Sequence, residues 1–594
     1  MAPIAVMGVM AIAPVFGGFA WLSAGVAAWL SGHGFVVPRY RYGIGALTAV
    51  AKGQTAGPRP LTLAVAGVLV LLLILLLILL LVLLGRKVRA WSRERARTAT
   101  ARAINARADV DGMRPAERAR EAARLHPGLA TQLDAAREQA AGDDELQRWL
   151  QVVYLLGSVY PQGPAIQPGW EDVELAFMAP RSGKTTALAI PKLLAAPGAA
   201  VGTANKPDLY LATCTGRAKR GRVWAFDPQS IAYLEQAFWW DPLRLVDNDT
   251  AASRLAAQFT KAISANGGDQ FWSQAAEELL TALILAAACT DGRSIRDVWL
   301  WLNRPTDPEP VDALAAAGFL QVASGLQGMQ TGAPNTRDGI YQTARTGAKC
   351  FRSEGILAWV TPPSTPLPEL FIGDFVNSTD TVYLMSQDEA GSAAPLLAGF
   401  LDQLFDAAKD RAGWNGGRLP IPITAVIDEA ANIAPWDRLP DVASYAGSLG
   451  WNFLAILQSW SQCVDVWGET GTKKLYGACT VKIIGAGIDE VGFGRDISTL
   501  VGQHDVEMAS SSYGKGGRSD SYSSQLRDLL PVDELRAMPK GTALVMCTGR
   551  RPVMVKMHPW FTAPYGDLVQ NAITAGQTAQ SARARAHAAA RGRQ

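Results

Sequence analysis

The chain has 594 residues, enough for several structural units. Hydrophobic residues make up 49% and charged residues only 18%, below the roughly 25% usual for soluble globular proteins, so part of the chain is expected in lipid. The net charge of +3 decides little, because the basic residues cluster locally, and six scattered cysteines without a CxxC pair exclude a disulfide framework or a zinc site.

Residues 4–31, "IAVMGVMAIAPVFGGFAWLSAGVAAWLS", carry no charge. The run exceeds the about 20 residues that cross a bilayer as a helix. A cleaved signal peptide is the alternative, but no Lys or Arg precedes the run. Residues 61–84, "LTLAVAGVLVLLLILLLILLLVLL", are again uncharged. As a helix they rise about 36 Å, enough for the hydrocarbon core. Arg86, Lys87, Arg89, Arg93, Arg95, Arg97, Arg102 and Arg107 follow, whereas the loop 32–60 holds only Arg39, Arg41, Lys52 and Arg59. That excess places residue 86 onward on the cytoplasmic side. The expectation is a transmembrane hairpin over 1–85, with helices at about 4–31 and 61–84 and both termini in the cytoplasm. Residues 86–150, rich in Ala, Arg and Glu, predict a basic helical stem. Its start at 86–97 either touches lipid headgroups or only marks topology.

From about residue 165 the pattern becomes α/β. Short apolar runs precede loops at 173–178, 199–204, 222–227, 380–386, 421–430, 451–459, 479–487 and 541–547. Several read as buried parallel strands of a doubly wound sheet. That rhythm stops between about 245 and 360, where "QFWSQAAEELLTALILAAAC" and "SIRDVWLWLNR" have helical periodicity. The expected organisation is an α/β domain over 151–245 and 361–565, an inserted all-α domain over 246–360 and a basic disordered tail over 566–594.

The stretch "AFMAPRSGKTT", 176–186, holds the core of a phosphate-binding loop. An apolar strand precedes it and a helix candidate follows, the context such a loop needs. Backbone N–H groups of Arg181, Ser182, Gly183, Lys184, Thr185 and Thr186 would wrap phosphates at the helix N-terminus, with Pro180 stiffening the loop at the nucleotide. Lys184 would reach the β- and γ-phosphates of ATP, and Thr185 would offer its hydroxyl to Mg²⁺. Met178 stands where the usual pattern has its first glycine. "ITAVIDEA" ends an apolar strand in Asp428 and Glu429. Asp428 suits the metal and Glu429 the water-activating base. "NFLAILQS" ends in Gln458, an amide able to sense the γ-phosphate or merely to cap a turn. The catalytic candidates are thus Glu429, Lys184 and Gln458, and the metal candidates Thr185 and Asp428.

Together these motifs resemble the type IV coupling proteins, the TraG/TraD-like ATPases of bacterial conjugation and type IV secretion. "PKLLAAPGAAVGTANKPDLY", "VWAFDPQ", "WWDPL", "DQFWSQAAEELLTALILAAA", "VIDEAANIAP", "ILQSWSQCVDVWG", "ISTLVGQ" and "LRDLLPVDELRAMPKGTALV" carry the likeness over most of 150–560. The resemblance implies a RecA-like P-loop NTPase core with an inserted all-α domain and an N-terminal two-helix anchor in the bacterial inner membrane. It also implies a homo-hexamer, ATP and Mg²⁺, single-stranded DNA with its relaxase, and contact with secretion-channel components and membrane lipids. ATP hydrolysis would then power DNA or protein translocation. Many relatives carry an Arg eleven residues before the glutamine; here that position is Gly447. Arg438 and Arg495 are substitutes for that charge only if neither serves a structural role. The segment 509–524, with Lys515 and Arg518, reads as a flexible loop that either lines a pore or links two elements. Alternatives are an FtsK/HerA-type DNA motor, a substrate receptor or scaffold with weak ATPase activity, and delivery of protein effectors only.

Overall fold

The computed structural model describes residues 22–32, 52, 59–265, 270–387, 389, 391–514 and 517–591. Most of the first expected membrane helix, 4–31, and most of the loop 32–60 lie outside the described residues; residues 22–30 are helical. The chain divides into two units, Met1–Ala99 and Thr100–Gln594.

The first unit is dominated by a helix that begins at Arg59 and runs on to Asn105. Unbranched Leu favours the helical backbone, and no Pro follows Pro60 to break it. Every residue from Leu75 to Leu84 is exposed, which covers more than two turns and therefore every face. Part of the run 61–84 has side chains outside the described residues. Among the described residues, no helix is long and apolar enough to cross a membrane.

The second unit is built on strands β1 (Gly157–Val159), β2 (Ala165–Ile166), β3 (Glu174–Phe177), β4 (Ala200–Ala204), β5 (Val223–Phe226), β6 (Thr381–Met385), β7 (Ile423–Ile427), β8 (Trp451–Leu457) and β9 (Val481–Gly485), followed by β10 (Gln503–Gly514), β11 (Gly517–Asp528), β12 (Thr542–Cys547) and β13 (Val553–Lys556). Eleven of them form one sheet in the order β2-β1-β13-β12-β9-β3-β8-β7-β4-β6-β5. The run from β9 to β5 is parallel throughout. β12, β13, β1 and β2 extend it antiparallel. The central strands β4, β6, β7 and β8 are buried along their whole length, as a sheet covered by helices on both faces requires. All eight apolar runs picked out of the sequence are strands of this sheet. The short strands β1, β2 and β13, which extend one end of the sheet, fall outside the eight apolar runs. Between β5 and β6 the chain is helical from Asp249–Ala265 through Glu354–Leu357.

Three expectations need correction. The expected stem, 86–150, is helical, but its later part is packed: after Asn105, the helices Pro115–Leu125, Pro127–Gln139 and Asp144–Leu150 lie on the sheet domain. His126 Nδ1 meets Leu419 O at 3.0 Å, Gln132 Nε2 donates to Pro197 O at 3.1 Å, and the Trp149 ring is buried against Gly216. The tail is not disordered over its described part: Gly566–Arg591 is a helix. Its Val569 is fully buried, Gly576 lies close against Leu211, and the His587 ring meets Tyr233 at 5.7 Å. Alanines make that helix affordable locally, and the apolar start at Leu568, Val569 and Ile573 docks it. Finally, 509–524 belongs to the β10–β11 hairpin, with Ser512 opposite Ser519 and Gly514 opposite Gly517. Arg518 is a β11 residue, and Lys515 lies outside the described residues.

Candidate nucleotide site

β3, β8 and β7 are neighbours, so their C-terminal ends bring together three segments far apart in sequence. From β3 comes the loop 178–184. Its turn uses left-handed backbone at Arg181 (φ 61°) and Gly183 (φ 100°). Gly183 adopts this without strain, whereas Arg181 carries a local cost that the loop must hold in place. The Thr186 hydroxyl donates to Gly183 O at 3.1 Å and locks the loop onto the first turn. That turn, Thr185–Ala189, is a wide π-turn, and Ile190–Ala195 continues as α-helix. Pro191 accounts for the widening, because it cannot donate to Ala187. First-turn N–H groups have no partner inside such a helix and point at whatever anion lies in the loop. Ser182 Oγ is buried and has no hydrogen-bond partner among the described residues. An oxyanion in the loop would supply one.

From β7 come Asp428 and Glu429, the latter in left-handed backbone (φ 54°, ψ 48°). That bend turns the chain sharply after the strand and sets both carboxylates against the loop. Lys184 Nζ lies 3.2 Å from Glu429 Oε1 and 3.4 Å from Asp428 Oδ1. Thr185 Oγ1 donates to Asp428 Oδ2 at 3.1 Å. From β8, Gln458 Nε2 donates to Glu429 Oε1 at 3.0 Å. From β4, Asn205 Nδ2 donates to Glu429 Oε2 at 2.5 Å. Both Glu429 oxygens therefore accept from side chains on three different elements. Burial raises the Asp428 carboxyl above its ordinary range; the Lys184 ammonium opposes this and the Glu429 charge adds to it.

The structure thus brings Lys184, Thr185, Asp428, Glu429 and Gln458 into one cluster. Asn205 was not picked from sequence. Its signal was faint, a lone amide at the tip of an apolar strand, and only the β4–β7 pairing puts it beside Glu429. Among the described residues no group of three or more His, Cys, Asp or Glu could enclose a metal. The paired hard oxygens of Thr185 and Asp428 nevertheless fit Mg²⁺, which keeps much of its shell as water and phosphate oxygen.

Met178 has a structural explanation. Its side chain is fully buried and points away from the loop into the core. There it fills the space beside Gly485 on β9: a Cβ on Gly485 would stand 2.6 Å from Met178 Cγ. The small residue has moved to the neighbouring strand and the large one to the loop. Gly447 is equally constrained, because a Cβ there would stand 1.9 Å from Glu171 O. No arginine fits that position without backbone movement. Arg438 is engaged elsewhere, donating to Asp402 Oδ1 at 2.9 Å and to both Asp406 oxygens at 3.1 and 3.2 Å. With Arg254, 2.8 Å from Asp406, it ties the helices Asp249–Ala265 and Ala394–Trp414 to the loop after β7. Arg495 is exposed on Val491–Val501.

Fold and site define a P-loop protein with a mixed α/β sheet. Residues 422–540 match the TraG-D_C family, described as the TraM recognition site of TraD and TraG. The fold is similar to that of the bacterial conjugative coupling protein TrwBdeltaN70 in its unbound monoclinic form. The TM-score is 0.51 at 17% identity, over 69% of this chain and 90% of that one. The trigonal form in complex with sulphate gives 0.50 at 16% identity, over 69% and 92%. No curated protein matches the chain in sequence. The resemblance to the type IV coupling proteins carried by the motifs is thereby borne out.

Proposed function

We propose that this protein is a membrane-anchored, Mg²⁺-dependent ATPase that couples a DNA–relaxase substrate to a type IV secretion channel. One observation carries the ATPase reading: Lys184 and Thr185 of the phosphate loop face Asp428, Glu429 and Gln458 within hydrogen-bond range. Lys184 now bridges both carboxylates. Phosphate oxygens entering the loop would draw its ammonium off them, leaving Glu429 free to accept the proton of an attacking water. Asn205 and Gln458 would keep that carboxylate aimed, and Thr185 with Asp428 would hold Mg²⁺. Bound there, Mg²⁺ would neutralise charge developing on the β- and γ-phosphates.

The membrane anchor rests on the apolar run 61–84, the exposed leucines from Leu75 to Leu84 and the arginines that follow. The cytoplasmic ATPase domain, the hexamer, the channel components, the lipids and the single-stranded DNA with its relaxase rest on the resemblance. On that reading the substrate would be handed on at the cost of ATP.

The test is ATPase activity of the full chain with and without single-stranded DNA, beside Lys184→Ala and Glu429→Gln. DNA-stimulated turnover lost in both variants supports the motor. Nucleotide binding without turnover under every condition refutes it and favours a receptor.

A further inference from the structure

We propose that a cavity at the N-terminal ends of β7 and β8, opposite the nucleotide site, binds a small anionic molecule with an apolar body. The cavity has a volume of about 730 Å³, within the small-molecule range. Thr424 and Asn452, the second residues of β7 and β8, contribute to its lining. The phosphate loop leaves the opposite end of these parallel strands. The cavity therefore lies beneath the site described above and shares none of its residues.

Leu129 and Leu133 form part of an apolar wall from the helix Pro127–Gln139. Against that wall stand three polar groups. Asn452 is only 8% exposed, and its Oδ1 has no hydrogen-bond partner among the described residues. That oxygen is a buried acceptor with nothing donating to it, so an occupant that brings a donor there is favoured. The Arg220 guanidinium makes one hydrogen bond, from Nη2 to Trp149 O at 3.3 Å, and has no carboxylate within ion-pairing range among the described residues. Burial alone pushes its guanidinium down to about 10. Lys192 is buried and paired with Glu174. At the rim Asp134 and Arg137 pair with each other at 3.1 Å and cancel.

Arg220 is half-buried, and among the described residues its guanidinium has no counter-ion. An anionic headgroup would provide it, by the bidentate geometry a guanidinium offers to carboxylate or phosphate. The apolar wall would take the body of the ligand, and the Asn452 amide would meet a polar atom on it. This site does not depend on the ATPase reading, and its test is independent of turnover.

The experiment is calorimetric titration of the full chain in one non-ionic detergent, against micelle blanks. The probes are octanoate, octyl phosphate and neutral octan-1-ol. Both anions should bind once per chain, and octan-1-ol at least tenfold more weakly. Arg220→Gln should weaken the anions about tenfold or more and leave octan-1-ol unchanged. Leu133→Trp, which fills the cavity, should abolish all binding, while Leu133→Met retains it and controls for folding. Native mass spectrometry of the purified chain would separate a retained free acid from a retained phospholipid. Equal affinity for octanoate and octan-1-ol, octanoate binding unaffected by Arg220→Gln or Leu133→Trp, or no binding of either anion would each overturn the proposal.

Discussion

Restoring the missing loop glycine should harm the protein. Met178 is fully buried, and its side-chain atoms occupy the volume that a Cβ on Gly485 would need, with contacts of 2.6, 2.7 and 3.2 Å. Met178→Ala leaves a cavity between β3 and β9 and should cost about 2–5 kcal/mol. Met178→Gly should add up to about 1 kcal/mol of backbone entropy. Gly485→Ala alone overpacks the same spot, at about 1–3 kcal/mol. The double variant Met178→Ala with Gly485→Ala puts a methyl group into the space the thioether left. Its cost should therefore fall short of the sum of the two single costs by about 1–2 kcal/mol. Thermal unfolding measures this: for a unit of this size 1 kcal/mol shifts Tm by roughly 1 °C. Met178→Ala should lower Tm by several degrees while nucleotide affinity stays within about twofold. Additivity of the two single changes, or tighter nucleotide binding by Met178→Gly, would refute the exchange of large and small residues between loop and strand.

Asn205→Ala frees Glu429 Oε2; kcat should fall about tenfold or more with KM for ATP nearly unchanged, and an unchanged kcat would remove Asn205 from the site. Asp428→Asn should abolish Mg²⁺-dependent nucleotide binding yet leave the nucleotide-free protein as stable as, or more stable than, the parent near neutral pH. The sign follows from the raised Asp428 pKa: the folded state holds its proton more tightly, so the parent loses stability relative to the variant as pH rises from the ordinary carboxylate range through the raised folded value. Unfolding curves from pH 4 to 8 test this, and a parent that gains on the variant with rising pH contradicts it. Gly447→Arg should not raise ATPase activity and should lower Tm, because its Cβ collides with Glu171 O; higher turnover would show that the backbone yields there.

The sequence by itself determined the strands that matter. Each of the eight runs is apolar over several consecutive residues and ends in a loop, and in the central strands β4, β6, β7 and β8 burial on both faces leaves no room for polar alternation. It also marked the two ends of the site: a Gly-Lys-Thr turn and an Asp-Glu pair are each weak alone, but a strand before and a helix after the first, and an apolar strand ending in the second, make them support each other. Neighbour relations were not legible. Asn205, one amide among many, acquires a role only because β4 lies beside β7. Met178 looked like a defect until β9 brought Gly485 against it, and Gly447 looked like a missing charge until Glu171 filled its space. The polar, Ala- and Arg-rich composition of 566–594 and of 86–150 predicts a disordered tail and a helical stem. Tertiary contacts decided otherwise: a few apolar side chains, Val569 and Trp149 among them, are enough to dock an Ala-rich helix whose local cost is already small. Local patterns report which residues need burial; only the packed sheet decides which residue each of them meets.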